Sequence, residues 1–513
     1  MVTSADADRA APAARFAVPS RGAAVAAVLP PVAVAVVVGI LSGMRAEPWR
    51  DEYATAAFAL LDPGDLAAAA AHVDAVLAPY YLLMHLVVPG FGITGARIVS
   101  LLALGATAGL VAAVALRWWG RGPALISGLA VALNPVLVGF GVQARPTALA
   151  VCAVALAVLV LDVALTGRRW AWWVFVIAAT FAVLMQLFAV IAVVVTGLLP
   201  VGRGRRAKLR GAAASLPAVL VAGLLLAVGW GQREQVAWIP RPSPRAAILA
   251  LADVTGTAVP HAASLDFVVL ALLVAGMAVT VLSARLLRPP VVAFSITLLV
   301  VPWSLLLIAS WLTVPVFVPR YFAAVGLGAA LIVGALVRVA QRSDRRIVRS
   351  AAAIVVAVLL VTGTSATVGR IRHPAPSVDG YGTIAGILRE QAQPGDLLVV
   401  AQAFGEGGLA YGLAEATADD RYASQLRARL ASGDQPPLEL RRIVSVRPWR
   451  TESVVGGATG GAAVWLFGLE RPSQDRLTEL DPAVATCIRS QGDVAALPTD
   501  GDVLVRFQGC SGP

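Results

Sequence analysis

The chain has 513 residues, 58% of them hydrophobic and 14% charged. Soluble domains are roughly half apolar and a quarter charged, so an ordinary soluble fold is excluded and a lipid bilayer is the implied solvent. The formal charge of +11 does not call for a nucleic-acid partner. The arginines sit in short connections between apolar runs, as the positive-inside rule requires.

In chain order, residues 1–22 read as a disordered cytoplasmic tail, followed by a retained first span from Ala23 to Met44. A mixed outer loop covers residues 45–95, with Tyr80 to Val88 placed as a helix along the membrane interface. The second span starts at Arg97 and ends at Arg117 to Arg121, the third covers Pro123 to Val142, and the fourth Thr147 to Thr166. Trp170 to Val201 is flanked by basic clusters at both ends, which requires an even number of crossings. It is expected to form two short helices with a bend near Gln186. A seventh span, Ala212 to Trp230, leads to a long outer loop from Gly231 to Asp266. Four more follow: Phe267 to Ser283, Val291 to Trp311, one ending at Arg338, and Ala351 to Thr367. Eleven crossings from a cytoplasmic N-terminus put every arginine-dense loop inside.

The expected fold is therefore a polytopic α-helical membrane domain over residues 23–368 with a small extracytoplasmic α/β domain over 369–513. Strands are expected at Asp396 to Ala401, Ala462 to Phe467 and Val503 to Phe507, and helices at Tyr381 to Gln393 and Leu477 to Ser490. Cys487 and Cys510 lie in this outer part, where an oxidising compartment would allow a disulfide. Cys152 lies in an apolar run as packing.

The outer face holds the polar inventory. Asp51 and Glu52 follow the first span directly, and carboxylates so near a bilayer are costly unless they have a role. Such a group can act as a general base; alternatively the pair caps an interfacial helix from Glu52 to Leu61. The same loop carries His72, Asp74, Tyr80, Tyr81 and His85. Arg145, Arg233 and Arg320 stand in three separate outer segments where topology calls for no arginine. They suit bidentate binding of a lipid-linked phosphate, with snorkelling to headgroups as the alternative use.

These segments carry a family resemblance. Trp49 to Thr55 (WRDEYAT), His72 to His85 (HVDAVLAPYYLLMH), Phe91 to Ser100 (FGITGARIVS), Gln143 to Leu149 (QARPTAL), Gly231 to Pro240 (GQREQVAWIP) and Pro319 to Tyr321 (PRY) occur in this order. The chain thereby resembles GT-C glycosyltransferases of the family 39 branch, which includes protein O-mannosyltransferases, aminoarabinose transferases and actinobacterial mannosyltransferases. The resemblance implies an enzyme of the bacterial inner membrane. It would transfer a mannose-like sugar from a polyprenyl-phosphate donor to an extracytoplasmic glycan, lipid or protein acceptor.

The resemblance makes Asp51 the catalytic carboxylate, with Glu52 beside it. Substrate contacts are expected from His72, Asp74, Tyr80, Tyr81, Arg145, Arg233, Trp238, Arg320 and Tyr321. No cofactor is implied, and a divalent metal held by Glu52, His72 and Asp74 stays open as an alternative. Relatives often carry Tyr where this chain has Thr147, and His near Gln186, so the acceptor and pocket chemistry are left open. Two other classes compete: a transporter, which would place ionisable groups at mid-bilayer, and a non-catalytic envelope scaffold. Among the apolar runs only Asp162 nears that depth, beside Arg168.

Overall fold

A computed structural model describes residues 21–44, 46, 48–71, 74–198, 205–236, 239–258, 263–287, 289–372, 387 and 391. It also describes the strand segments 397–400, 442–445, 464–468, 496–498 and 503–507. The first helices are α1 (Arg21–Gly43), α2 (Arg50–Ala59), α3 (Pro63–Ala70), α4 (Ala78–Met84) and α5 (Val88–Trp119). Next come α6 (Arg121–Ala132), α7 (Pro135–Gly141), α8 (Thr147–Ala164), α9 (Arg169–Met185), α10 (Ala189–Leu198) and α11 (Arg205–Trp230). The last are α12 (Pro244–Thr255), α13 (Ala263–Leu282), α14 (Ala284–Leu287), α15 (Pro289–Leu312), α16 (Val325–Arg342) and α17 (Arg346–Arg372).

Among the described residues, eight helices are long and apolar enough to cross a bilayer: α1, α5, α8, α11, α13, α15, α16 and α17. The bent pair α6 and α7 would make a ninth. The protein is thus a multi-pass helical membrane protein. The helices α9 and α10, of 17 and 10 residues, are too short to count by length alone. They meet at Gln186, where the backbone turns extended. This is the break expected there.

Burial sorts the helices into an inside and a rim. The apolar windows of α5 and α8 are 67% buried and that of α16 is 72%, against 22% for α1 and α11. The inner helices owe this to small residues. A Cβ on Gly328 of α16 would lie 2.7 Å from the backbone nitrogen of Leu299 in α15, and even at the rim one on Gly211 of α11 would strike the Gly197 carbonyl oxygen in α10. Close backbone approach through glycine is how helices gain contact in lipid, where no hydrophobic effect drives them together. The rim helices present Leu220, Leu224, Val274 and Ile354 outward, which suits acyl chains.

Three elements differ from expectation. Helix α5 begins at Val88, nine residues before Arg97, and breaks at Gly92, whose φ of 59° glycine alone adopts easily. Arg97 thus lies inside the helix. The third span splits at Asn134-Pro135 with a 64° bend, because Asn134 caps α7 by accepting from the Val136 and Leu137 amides and Pro135 starts the new helix. The connection from α11 to α13, expected as an outer loop, contains α12, tied to α15 by the Trp303 indole donating to the Ala247 carbonyl at 2.9 Å.

Beyond α17 five strands form one mixed sheet: β1 (Leu397–Val400), β2 (Arg442–Ser445), β3 (Val464–Gly468), β4 (Ala496–Pro498) and β5 (Val503–Phe507), in the order β2-β1-β3-β5-β4. Strand β1 runs parallel to β2 and β3, and β5 antiparallel to β3 and β4. Three of the strands fall in the runs expected to form them. The expected helices at 381–393 and 477–490, and Cys487 with Cys510, lie outside the described residues apart from positions 387 and 391. Trp465 of β3, 1% exposed, belongs to the apolar cluster of Tyr53, Phe58, Tyr80, Tyr81 and Met84 in α2 and α4.

Substituting Gly211 with Leu is expected to lower the stability of the detergent-solubilised protein by about 1–3 kcal/mol, as overpacking of tight interiors does. A thermal-shift series checks it, with Gly223→Leu, whose Cβ would meet open space, as the unaffected control.

Candidate active site

The site is assembled around Glu52. Trp49 precedes α2 in extended conformation, and Glu52, in the first turn, reaches back to accept from the Trp49 amide at 3.3 Å. This is the Glu half of a capping box; an indole offers no acceptor for the other half. The same carboxylate takes two charge-assisted bonds from Arg97 of α5, Nε to Oε1 at 2.7 Å and Nη2 to Oε2 at 2.6 Å. The Ala144 amide donates a further bond to Oε1 at 2.7 Å. Arg97 Nη1 in turn donates to the Ala46 carbonyl at 2.6 Å, just past α1. Both side chains of the pair are at most 5% exposed.

Asp51, the neighbour of Glu52, turns the other way and stays partly exposed, at 22%. Its Oδ2 lies 3.2 Å from Arg145 Nη2 and 3.7 Å from Arg320 Nη1. Arg145 Nη1 also donates to the Asp51 carbonyl at 3.3 Å, and the Thr55 hydroxyl donates to that carbonyl at 3.0 Å. Burial alone would lower the Arg145 pKa, but Asp51, Tyr81, Asp74 and Tyr80 around it outweigh that and raise it, so the guanidinium is firmly charged.

A second carboxyl shares this field. Asp74 has a φ of 55°, the only positive value on a non-glycine residue among those described. It accepts from the Tyr81 hydroxyl at 2.9 Å. Burial pushes its pKa up, only partly offset by Arg145 and by the Tyr81 hydrogen bond. Tyr80 and Tyr81 are fully buried, and burial raises both phenols far above their usual range, so both stay protonated and able to donate. The Tyr80 hydroxyl and the Trp49 indole N–H are buried with no hydrogen-bond partner among the described residues.

Arg320 and Tyr321 arrive on the 3-10 turn Pro319–Phe322 that leads into α16. The Tyr321 ring packs on Phe188 at 4.9 Å, and Gln186 donates to the Arg320 carbonyl at 3.4 Å. Beside them a narrow recess of about 10 Å³, room for little more than one water, is lined by Thr147, Gln186, Phe188, Pro302, Arg320 and Tyr321. Thr147 and Gln186, the two departures from the family pattern, therefore line the same space.

Not every expected residue joins this group. Arg233 is exposed, its guanidinium lying 5.9 Å over the Trp230 ring and donating to the Trp230 carbonyl at 3.3 Å, where it caps the end of α11. His85 donates from Nδ1 to the Ala59 carbonyl at 2.9 Å and ties α4 to α2. His72 and Trp238 lie outside the described residues. No three His, Cys, Asp or Glu side chains converge among the described residues. Asp162 pairs with Arg117 at 2.6 Å. Two site residues were missed in the sequence: Arg97, masked by its place at an apparent span boundary, and Gln232, masked by the charge of Arg233.

The model of dolichyl-phosphate-mannose-protein mannosyltransferases matches residues 74–230, a stretch that begins at Asp74 and excludes Asp51. The crystal structure of ArnT from Cupriavidus metallidurans in the apo state superposes with a TM-score of 0.55 at 15% identity, covering 95% of this chain and 99% of that one. ArnT bound to undecaprenyl phosphate gives 0.51 at 14% identity, covering 96% and 100%. No curated protein sequence matches significantly. Together these findings show that the chain shares the ArnT fold and that residues 74–230 are similar to the dolichyl-phosphate-mannose-protein mannosyltransferase family.

Two stability changes follow from the site. Glu52→Ala would strand the buried Arg97 guanidinium and is expected to cost about 3–5 kcal/mol; the double variant with Arg97→Met should recover part of this in a thermal-shift series. Asp74 binds its proton more tightly folded than unfolded. Its contribution is thus most favourable below its ordinary pKa and is lost as pH rises through the raised value. Asp74→Asn is therefore expected to be more stable than the parent near neutral pH, with the gap closing as pH falls below 4, read from melting temperatures against pH.

Proposed function

We propose that the protein is a multi-pass enzyme of the bacterial inner membrane that transfers a sugar from a polyprenyl-phosphate donor to an extracytoplasmic acceptor. The observation that carries this reading is the meeting of Asp51 Oδ2 with the Arg145 and Arg320 guanidiniums at 3.2 and 3.7 Å, beside a narrow recess in the helical bundle. Two guanidiniums at an outer membrane surface fit a phosphodiester. The orphaned donors of Tyr80 and Trp49 would find acceptors in sugar or phosphate oxygens. ArnT, of the same fold, has been seen with undecaprenyl phosphate.

In this reading the acceptor hydroxyl gives its proton to Asp51 while its oxygen bonds to the anomeric carbon. The anomeric carbon–oxygen bond breaks, and the electron pair leaves on the polyprenyl phosphate. One displacement inverts the anomeric centre. Arg145 and Arg320 hold the charge that grows on the leaving phosphate, an effect strengthened by a water-poor surrounding. Glu52, with its oxygens committed to Arg97, Ala144 and Trp49, serves this site by holding Asp51 in place rather than by moving protons. Eleven crossings, with α9 and α10 as two short spans, give a cytoplasmic N-terminus and put residues 369–513 on the side of the site. The sugar is read as mannose-like from the family model.

The test is transfer from radiolabelled polyprenyl-phosphate sugars in proteoliposomes. Asp51→Asn is expected to lower the rate by roughly 10²–10⁴-fold, the range of general-base removal. Arg320→Ala is expected to cost roughly 10²–10³-fold, as loss of one charge-stabilising donor does. Full transfer by Asp51→Asn would remove the base assignment, and no transfer by the parent from any such donor would remove the reading itself.

A further inference from the structure

The segment Gly231 to Pro240 reaches the site through its glutamine. From the end of α11 the Gln232 side chain uses both ends of its amide at once. Nε2 donates to the Ala70 carbonyl at 2.8 Å, and Oε1 accepts from the Ala75 amide at 2.9 Å. Reversing the amide would set donor against donor and acceptor against acceptor, so these partners fix its orientation. Ala70 ends α3, and Ala75 directly follows Asp74. One side chain thus grips the backbone on either side of Asp74 from 157 residues away in sequence.

A second contact presses the same two elements together. A Cβ on Gly229, three residues earlier on α11, would come within 2.8 Å of Val76 Cγ1, so only glycine lets the helix end lie this close. The residue so gripped has reason to need it. Asp74 holds a left-handed backbone, which Asp tolerates better than most side chains but at a cost that fixed neighbours help to meet. Its carboxyl must face the Tyr81 hydroxyl and lie within electrostatic reach of Arg145, Asp51 and Arg320. Loosening the backbone by a fraction of an ångström would swing that carboxyl out of register.

We propose that Gln232 is a positioning residue of the site, clamping the backbone around Asp74 so that its carboxyl is presented to the sugar of the bound donor. This rests on the reading of Asp74 as a donor-sugar contact in a glycosyltransferase, and two readouts keep the two ideas separable. In the transfer assay, Gln232→Leu is expected to raise the KM for the polyprenyl-phosphate sugar roughly tenfold, as a lost substrate hydrogen bond would. Gly229→Val, which pushes on Val76 from the same helix end, is expected to raise it likewise. A clamp acting through Asp74 also makes the changes non-additive, so Gln232→Leu with Asp74→Asn should be no worse than Asp74→Asn alone. A merely structural role would lower the fraction of active enzyme and leave KM unchanged.

Hydrogen–deuterium exchange on the reconstituted full chain reads the clamp without catalysis. The Ala75 amide is expected to exchange about fivefold faster in Gln232→Leu, in keeping with one lost hydrogen bond, while α2 amides keep the parental rate. An unchanged KM, or losses that add to those of Asp74→Asn, would overturn the positioning role. Unchanged exchange at Ala75 would overturn the clamp. Failure of the parent to transfer any sugar would instead overturn the enzymatic reading, and the exchange experiment would still decide the clamp.

Discussion

A single buried carboxylate, that of Glu52, sets the positions from which the site is built. Taking an ion pair out of water is expensive, and the Glu52–Arg97 pair is tolerable only because its hydrogen-bonding capacity is met. Arg97 spans both oxygens, and the Ala144 and Trp49 amides take what remains. The partners come from α2, α5, the chain after α1 and the turn between α7 and α8. Two of these residues adjoin the site directly: Asp51 immediately precedes Glu52, and Arg145 immediately follows Ala144. Registering Glu52 against Ala144 therefore registers Asp51 against Arg145.

The apolar surroundings give this arrangement its strength. Tyr53, Phe58, Tyr80, Tyr81 and Met84 form a cluster between α2 and α4, and Trp465 from the sheet is part of it. Charges flanked by such a cluster attract each other more strongly than the same charges in water. The sheet therefore contributes packing to the helices that carry the site. Helix α4 is anchored by His85 and the stacked Phe58–Tyr81 rings, 4.7 Å apart, so Asp74 faces a phenol whose own position is fixed.

Much of this was legible from the chain. Apolar runs and arginine clusters placed the helices, because lipid forces every backbone polar group to be satisfied within a helix and the pattern shows directly in composition. Asp51, Arg145 and Arg320 stood out because charge at an outer membrane surface needs a reason, and the structure brings these three together. What escaped reading was uncharged or looked ordinary. Arg97 read as a flanking charge, since nothing in a sequence reveals that a residue 45 positions away is its partner. Arg233 drew attention by its charge, whereas Gln232, an uncharged amide, makes the long-range contacts. The bend at Asn134-Pro135 was signalled by a turn-forming dipeptide inside an apolar run, but the length of that run read as one span.

The most direct measurement is a cryo-electron microscopy structure of the protein in lipid nanodiscs with a bound polyprenyl phosphate. The account expects the phosphate between the Arg145 and Arg320 guanidiniums, with Asp51 facing the side where the anomeric carbon would sit and Glu52 still paired with Arg97. A phosphate held instead near Arg233, or on the cytoplasmic face, would contradict it.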